Sequence, residues 1–158
     1  MHEVLFLMAF TLHNIEEGIW LPDWSKYAKN YHPPVSRNEF HFALLIVTVC
    51  GYLLTFIFSI YGEFFPIIKY AYLGFVLMMC FNSIFPHLLA TIVLKKYSPG
   101  TITGLMLNLP FGSYIIFNKY NSLLDYDKLL IGFAVVSAVT ITSLKPLFKL
   151  GAKLIDEY

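Results

Sequence analysis

Charge is scarce in this 158-residue chain: Asp, Glu, Lys and Arg together account for 13% of it, against about a quarter of a typical soluble domain. Hydrophobic residues account for 58%. The net charge is only +1, and no basic tail or stripe is present, which excludes nucleic acid as a partner. The composition therefore predicts an integral membrane protein.

Cysteine is almost as scarce. The two cysteines, Cys50 and Cys80, both lie inside apolar runs, so we expect small buried thiols and not a disulfide framework. The opening stretch MHEVLFLMAF lacks a positive n-region, and no small-residue cleavage site follows it before His13. We therefore expect this stretch to belong to the mature protein and not to a cleaved signal peptide.

Apolar runs of membrane length dominate the rest of the chain. A bilayer core of about 30 Å needs about 20 helical residues. We predict an all-α, polytopic membrane bundle that forms a single domain over residues 1–158, because the short connections leave no room for a soluble domain. Its five transmembrane helices are expected at residues 1–20, 40–61, 65–94, 100–117 and 128–147.

Lysine and arginine are distributed unequally between the two ends of this bundle. The end reached after the first span carries Lys26, Lys29, Arg37, Lys95, Lys96, Lys145, Lys149 and Lys153. The opposite end carries Lys69, Lys119 and Lys128. The positive-inside rule then predicts a protein of the cytoplasmic membrane with its N-terminus outside and its C-terminus in the cytoplasm.

The first span ends in a polar segment, HNIEE. His13, Glu16, Glu17 and Trp20 share one face of a helix, because residues three and four apart are neighbours. Imidazole and carboxylate groups at this spacing either ligate a divalent metal, zinc or iron, or form a proton-transfer pair. A purely structural role needs only a hydrogen bond between His13 and Glu17. The second carboxylate favours a functional site.

Polar residues of three later spans fall at a depth similar to that of His13, when about 1.5 Å is counted per helical residue. They are Asn82 and His87 in the third span, Asn108 in the fourth and His41 at the start of the second. His87 is a candidate metal ligand or base. His41 is either an interfacial residue or the ligand that completes a metal site. Asn82 and Asn108 are candidates for lining a polar cavity.

Two prolines are expected to shape these spans. Pro86 has no N–H and its ring collides with the carbonyl of Asn82, four residues earlier, so the third span should kink there. Pro110 frees another carbonyl in the fourth span. Thr101 and Thr103, near the start of that span, are typical helix-capping residues.

The segments HNIEE, FNSIFPH and YSPGTITGLMLNLP resemble the HXXEE membrane proteins, with the Asn-His and Tyr-x-Pro-Gly-x-x-Thr blocks in order. The resemblance covers residues 12–110. It implies a small, multi-spanning, mostly bacterial membrane protein, and it implies no settled activity. It selects first His13, Glu16 and Glu17, and then Asn82, His87, Tyr97, Pro99, Gly100 and Thr101.

A looser similarity connects the chain to the CPBP-type intramembrane proteases, which use paired glutamates, histidines and an asparagine within the membrane. Glu16, Glu17, His87 and Asn82 are the matching residue types. The chain departs from that pattern because no arginine follows the glutamate pair, and because His87 and Asn82 have a different spacing. This similarity implies hydrolysis as one possible chemistry.

These observations favour a membrane-embedded enzyme that acts on a lipidic or membrane-borne substrate in the cytoplasmic half of the bilayer. The candidate catalytic residues are Glu16, Glu17 and His87. The candidate ligands of a divalent metal are His13, Glu16, Glu17, His87 and His41. The candidate substrate-binding residues are Trp20, Asn82, Tyr97, Thr101 and Asn108. Two alternatives stay open: a proton- or ion-coupled transporter or small-molecule binding protein, and a structural membrane subunit. Membrane lipids are the expected surroundings in every case.

Overall fold

A computed structural model describes residues 1–29 and 34–156 of the chain, and these residues form five helical rods with no strand among them. We name the rods α1 (His2–Tyr27), α2 (Arg37–Tyr61), α3 (Pro66–Leu94), α4 (residues 101–119) and α5 (Tyr126–Asp156). A short 3-10 turn, Asn121–Leu123, connects α4 to α5. The prediction of an all-α bundle is confirmed.

Within the described residues, four helices are long and apolar enough to cross a membrane: His2–Tyr27, Arg37–Tyr61, Pro66–Leu94 and Tyr126–Ile155. The fifth rod, α4, follows a continuous helical path but contains wide π-type turns at Gly104–Asn108 and Ile115–Lys119. The first of these turns comes directly before Pro110, which cannot donate to the carbonyl of Met106. The protein is therefore a helical membrane bundle with four helices of spanning length and one rod that contains wide turns.

Three helices extend beyond their predicted limits. α1 continues through Pro22 to Tyr27, past the predicted end at residue 20. α2 begins at Arg37 and not at residue 40, because Ser36 and Glu39 form a capping box in which each side chain accepts the other's backbone N–H. α5 runs on to Asp156, and its exposed C-terminal lysines suit the polar interface.

Prolines interrupt the regular backbone hydrogen bonding of α1 and α3. Pro22 has no N–H for the carbonyl of Gly18, and the His41 Nε2 of α2 lies 2.7 Å from that carbonyl oxygen, to which it donates. In α3, Phe85 has non-helical backbone angles (φ −125°, ψ 114°), so the predicted kink at Pro86 is confirmed. α3 therefore changes direction between Asn82 and His87.

Aromatic rings and close backbone contacts hold the rods together. Phe10 of α1 meets Phe75 of α3 edge to face at 5.1 Å between centroids. A very close backbone contact joins α3 to α5. A Cβ added to Gly132 of α5 would lie 2.2 Å from the backbone oxygen of Tyr70 in α3. Small residues let helices approach this closely within a membrane, where van der Waals packing drives their association.

Candidate functional site

Three ligand-type side chains meet between α1 and α3. His13 and Glu17 are one turn apart on α1, and His87 lies just after the kink of α3. The His87 Nε2 is 2.9 Å from Glu17 Oε1, and the His13 Nε2 is 3.6 Å from the same oxygen. One ligand atom from each residue lies within 4.8 Å of the others. Both imidazoles are buried, and Glu17 is 14% exposed.

Asn82 closes this cluster from the other side of the kink. Its Nδ2 lies 3.0 Å from His87 Nε2 and 3.3 Å from His13 Nε2. The kink at Pro86 makes this contact possible, because a regular helix would carry His87, five residues on, away from Asn82. An amide at this place either donates to the two imidazoles or presents its oxygen to a shared cation, since the two ends of the group are interchangeable by rotation.

Thr103 of α4 fixes the orientation of His13. Its hydroxyl donates to Glu16 Oε2 at 2.6 Å and lies 3.1 Å from His13 Nδ1. Because the single hydroxyl proton is committed to Glu16, the hydroxyl accepts from His13 Nδ1–H. The Nε2 lone pair of His13 is then left to face Glu17 and His87. A hydrogen bond to the far nitrogen of an imidazole is how proteins orient a metal-binding histidine.

Glu16 does not join the cluster. Its Oε1 accepts from Gly100 N at 2.8 Å and from the Tyr97 hydroxyl, and its Oε2 accepts from both the backbone N–H and the hydroxyl of Thr103. The carboxylate thus satisfies N–H groups at the start of α4, where anionic groups are favoured by the helix dipole. Glu16 ties the loop before α4 to α1.

Tyr97 lies in the loop between α3 and α4, and its hydroxyl donates to the Glu16 carboxylate that ties this loop to α1. Burial, together with its hydrogen bond to the Glu16 carboxylate, raises the pKa of Tyr97 to about 12. The phenol is therefore protonated and able to donate throughout the neutral range. The contribution of the Tyr97–Glu16 hydrogen bond to the stability of the fold is complete below pH 10, the ordinary pKa of tyrosine being about 10. This contribution is lost as the pH rises through the raised pKa of Tyr97.

Gly100 passes directly over the two histidines. Its φ of +91° lies in the left-handed region, and a Cβ there would be 2.8 Å from the Cε1 atoms of both His13 and His87. Only glycine combines this backbone conformation with so close an approach. The loop before α4 therefore covers the histidines on the side away from Glu17.

The predicted residue Thr101 belongs to a neighbouring group of hydroxyls. Its Oγ1 lies 2.9 Å from Thr91 Oγ1 and donates to Ser98 O at 2.7 Å, while Thr91 also bonds the His87 carbonyl. This group connects the end of α3 to the start of α4. Thr101 positions the loop and does not reach the histidine nitrogens.

Three other predicted residues lie away from the cluster. His41 bonds the Gly18 carbonyl that Pro22 leaves free, on the exposed face of α1 and α2. Trp20 is 54% exposed. Asn108 is fully buried one level deeper in the bundle, and its side-chain atoms have no hydrogen-bond partner among the described residues. The structure brings together His13, Glu17, His87 and Asn82, with Glu16 and Tyr97 behind them.

An apolar cavity of about 460 Å³ adjoins the cluster. α1, α2, α3 and α5 line it, and Glu17 and Asn82 are among the polar residues of its wall. Phe81, Phe85 and Ile141 also line it, and each is more than half exposed on the outer surface between α3 and α5. In a bilayer this surface faces lipid, so the cavity borders both the polar cluster and the membrane.

Two residues of this arrangement were not among the predicted site residues. Thr103 was predicted only as a helix cap, although it is the threonine on which the Tyr-x-Pro-Gly-x-x-Thr pattern ends. That pattern was the sequence signal that could have identified Thr103 as a site residue. Ser137 of α5, which lines the cavity, gave no signal beyond a mild polar seam in an apolar span.

The fold and the cluster define a class: a helical membrane protein with a buried His-Glu-His group beside an apolar cavity. The chain belongs to the HXXEE family. The family model described as "Protein of unknown function with HXXEE motif" matches residues 4–115. The chain is similar to a protein of Bacillus subtilis (strain 168) described as "Uncharacterized protein YrkK", with 44% identity over 149 residues and 94% of each chain covered. No solved structure matches. The looser similarity to the CPBP-type intramembrane proteases stays a prediction.

Proposed function

We propose that this protein is a metal-dependent enzyme of the cytoplasmic membrane, which holds a divalent metal through His13, Glu17 and His87 and acts on a lipidic substrate. One observation carries the proposal: three ligand atoms of the right types lie within 4.8 Å of one another, at the wall of an apolar cavity. Two imidazole nitrogens and one carboxylate oxygen form the donor set of many catalytic metal sites.

The hydrogen bonds around the cluster support a metal better than they support a simple ion pair. The His13 Nε2 lone pair points inward because Thr103 accepts from the opposite nitrogen. The His87 Nε2 lies against both a carboxylate oxygen and an amide nitrogen, so a proton on it would satisfy Glu17 but oppose the amide of Asn82. A cation in place of that proton satisfies the two imidazole nitrogens and the carboxylate oxygen together.

Three protein ligands leave a coordination position free for water or substrate. A zinc ion held by His13, Glu17 and His87 would activate a water molecule and polarise a substrate carbonyl. Asn82 is placed to hydrogen-bond the oxygen on which negative charge develops. Glu16, Tyr97 and Thr103 hold the loop and His13 in position. Zinc would support hydrolysis of a lipid ester or amide, whereas the same donor set with iron would support oxidation by dioxygen.

The place of the cavity supports an enzyme over a transporter. Its lining on α1 begins at Phe10, about 13 Å along the helix from Met1, and continues to Leu21 at the predicted cytoplasmic end. On α1 the cavity therefore reaches the predicted cytoplasmic end and stops short of the opposite end. A transporter needs access to its site from both sides.

Metal analysis of the purified protein tests this proposal. The wild-type protein should carry about one zinc or iron ion per chain, since the described residues form one three-residue ligand set. Glu17→Gln should lose most of that metal, because it removes the only carboxylate of the cluster. The matched control is Glu63→Gln, which alters an exposed carboxylate after α2 and should retain the metal.

Two results would sink the proposal. One is an equal metal content in Glu17→Gln and the wild type. The other is no metal in the wild type after purification without chelators and after addition of zinc or ferrous iron. Flux of an ion across proteoliposomes that Glu17→Gln abolishes would favour the transporter, and unchanged growth of cells carrying Ala at His13, Glu17 and His87 would favour a structural subunit.

A further inference from the structure

The apolar cavity is long as well as large. Its lining runs from Phe10 to Leu21 on α1, about 16 Å along the helix axis, and from Phe133 to Phe148 on α5. Its volume of about 460 Å³ lies within the range of small-molecule binding sites. This shape suits one extended chain that lies along the membrane normal.

The polar cluster opens into the middle of this cavity, not at its end. Glu17 lies between Phe10 and Leu21 on α1, and Asn82 lies between Met78 and Pro86 on α3. Apolar walls therefore continue on both sides of the cluster. A ligand in the cavity therefore needs one polar group at the level of the cluster and an apolar chain along the wall to one side of it.

The charge of the lining limits what this polar group can be. Among the described residues that line the cavity, Glu17 is the only ionisable one, and none is lysine or arginine. In the metal-free protein a phosphate or carboxylate headgroup would find no counter-charge among these residues and would be repelled by Glu17. An uncharged ester, amide or alcohol meets no such cost.

α5 provides a second polar contact across the cavity. Ser137 and Thr140 are three residues apart and share the face that lines the cavity with Phe133, Ile141 and Leu144. The Ser137 hydroxyl is shielded from solvent and has no hydrogen-bond partner among the described residues. Two neighbouring hydroxyls behave differently: Thr142 bonds carbonyls of its own helix, and so does Ser143. The Ser137 hydroxyl thus has no partner in the described part of the protein, and rotation of its side chain would present it to a ligand in the cavity.

We propose that the cavity binds a neutral, single-chain lipid whose uncharged ester, amide or alcohol group lies between the Ser137 hydroxyl and the Glu17–Asn82 wall. The ligand enters from the bilayer between α3 and α5, past Phe81 and Ile141, which are exposed to the membrane. This inference deepens the proposed function, because it places the polar group of the substrate beside the metal ligands.

Equilibrium binding to metal-free protein in detergent micelles tests the inference apart from the metal. The probe is a long-chain monoacylglycerol with a fluorophore at the end of its chain, and the competitors are the unlabelled monoacylglycerol and the fatty acid of the same chain length. The monoacylglycerol should bind saturably. The fatty acid anion should compete at least about tenfold more weakly, because Glu17 repels it. A modest difference in binding free energy is enough to produce a tenfold ratio.

Variants of α5 locate the binding site. Ser137→Leu should weaken binding by about tenfold or more, because its side chain fills the cavity and removes the hydroxyl, whereas Ser137→Ala removes only the hydroxyl and should weaken it by a few fold. Ala138→Leu is the matched control. Ala138 is the next residue of the same helix, it is exposed to lipid and it does not line the cavity, so binding should be unchanged.

Equal or tighter binding of the fatty acid anion would overturn the inference, as would equal affinities in Ser137→Leu and Ala138→Leu. If the protein holds metal but does not bind the monoacylglycerol, the substrate class is wrong and the metal site stands. If it binds the monoacylglycerol but never holds metal, the lipid site stands and the proposed metal-dependent function is wrong.

Discussion

Glu16 and Glu17 are neighbours in sequence, yet their carboxylates have different partners. Glu17 faces the two histidines, whereas Glu16 accepts hydrogen bonds from Tyr97, Gly100 and Thr103. Successive residues of an α-helix point about 100° apart, so an adjacent pair can serve two neighbouring elements at once. One glutamate is a candidate ligand, and the other fixes the loop that covers the site.

Thr103 is predicted to be a positioning residue for the metal site. Thr103→Val should lower metal affinity by about 10- to 100-fold, the usual effect of losing a hydrogen bond behind a metal ligand. The pH midpoint of metal binding should move upward, because a weaker site competes less well with protons for His13. Metal titrations over a range of pH measure both effects.

Thr103→Ser is the control for this prediction, because it keeps the hydroxyl between Glu16 and His13. It should restore both the affinity and the pH midpoint. If Thr103→Ser is as defective as Thr103→Val, the threonine acts through packing and the hydrogen-bonded chain is not the cause.

At the residue scale, depth in the membrane was the most informative property of the sequence. Counting helical residues from the span ends placed His13, Asn82 and His87 at one level, and the structure brings their side chains together. The same count placed His41 there, but its contact with the Gly18 carbonyl follows from the way α1 and α2 pack beside Pro22. Depth gives the position along the membrane normal and not the direction in which a side chain points.

At the scale of elements, α3 and α5 form the tightest helix pair. Gly132→Ala should destabilise the protein by about 1 to 3 kcal/mol, because the added methyl group would overlap the Tyr70 backbone and force the helices apart. The free energy of unfolding, measured by SDS titration in mixed micelles, reports this change.

Ala134→Leu, at an exposed position of the same helix, is the comparison for Gly132→Ala. It enlarges a side chain on the lipid-facing side and should leave the free energy of unfolding nearly unchanged. Equal stability of Gly132→Ala and the wild type would contradict the close contact between α3 and α5.

The type of each element could be predicted from the sequence, and several boundaries could not. Hydropathy indicated five membrane-length segments, and four of them form helices long and apolar enough to cross a membrane. The helix α2 begins before its predicted span, since a capping box of polar residues at Ser36 and Glu39 starts it. The helix α1 continues past its predicted span to Tyr27, with Pro22 inside it. The wide turns of α4 depend on packing and leave no mark in the hydropathy of the sequence.

At the scale of the whole molecule, the predicted topology places the N-terminus outside the cell and the C-terminus in the cytoplasm. Five spans put the termini on opposite sides, and the excess of Lys and Arg determines which side is cytoplasmic. Fluorescent-protein and alkaline-phosphatase fusions to the C-terminus check this in a bacterial host. The fluorescent fusion should be bright and the phosphatase inactive, whereas an active phosphatase would reverse the topology.

The bundle as a whole serves to bring one polar cluster to one apolar cavity. α1 and α3 supply the histidines and glutamate, the loop before α4 covers them, and α2 and α5 close the cavity on the other side. No single span contains the site. This is why sequence patterns point to its members but not to the cavity, which exists only once four helices have packed.

X-ray absorption spectroscopy of the metal-loaded protein tests the central claim most directly, because it identifies the atoms bound to the metal. We predict a first shell of nitrogen and oxygen atoms, at about 2.0 to 2.2 Å for zinc, with the outer-shell scattering of two imidazoles. His87→Ala should reduce that scattering to one imidazole. A first shell that contains sulfur, or that shows no imidazole, would contradict a metal site built from His13, Glu17 and His87.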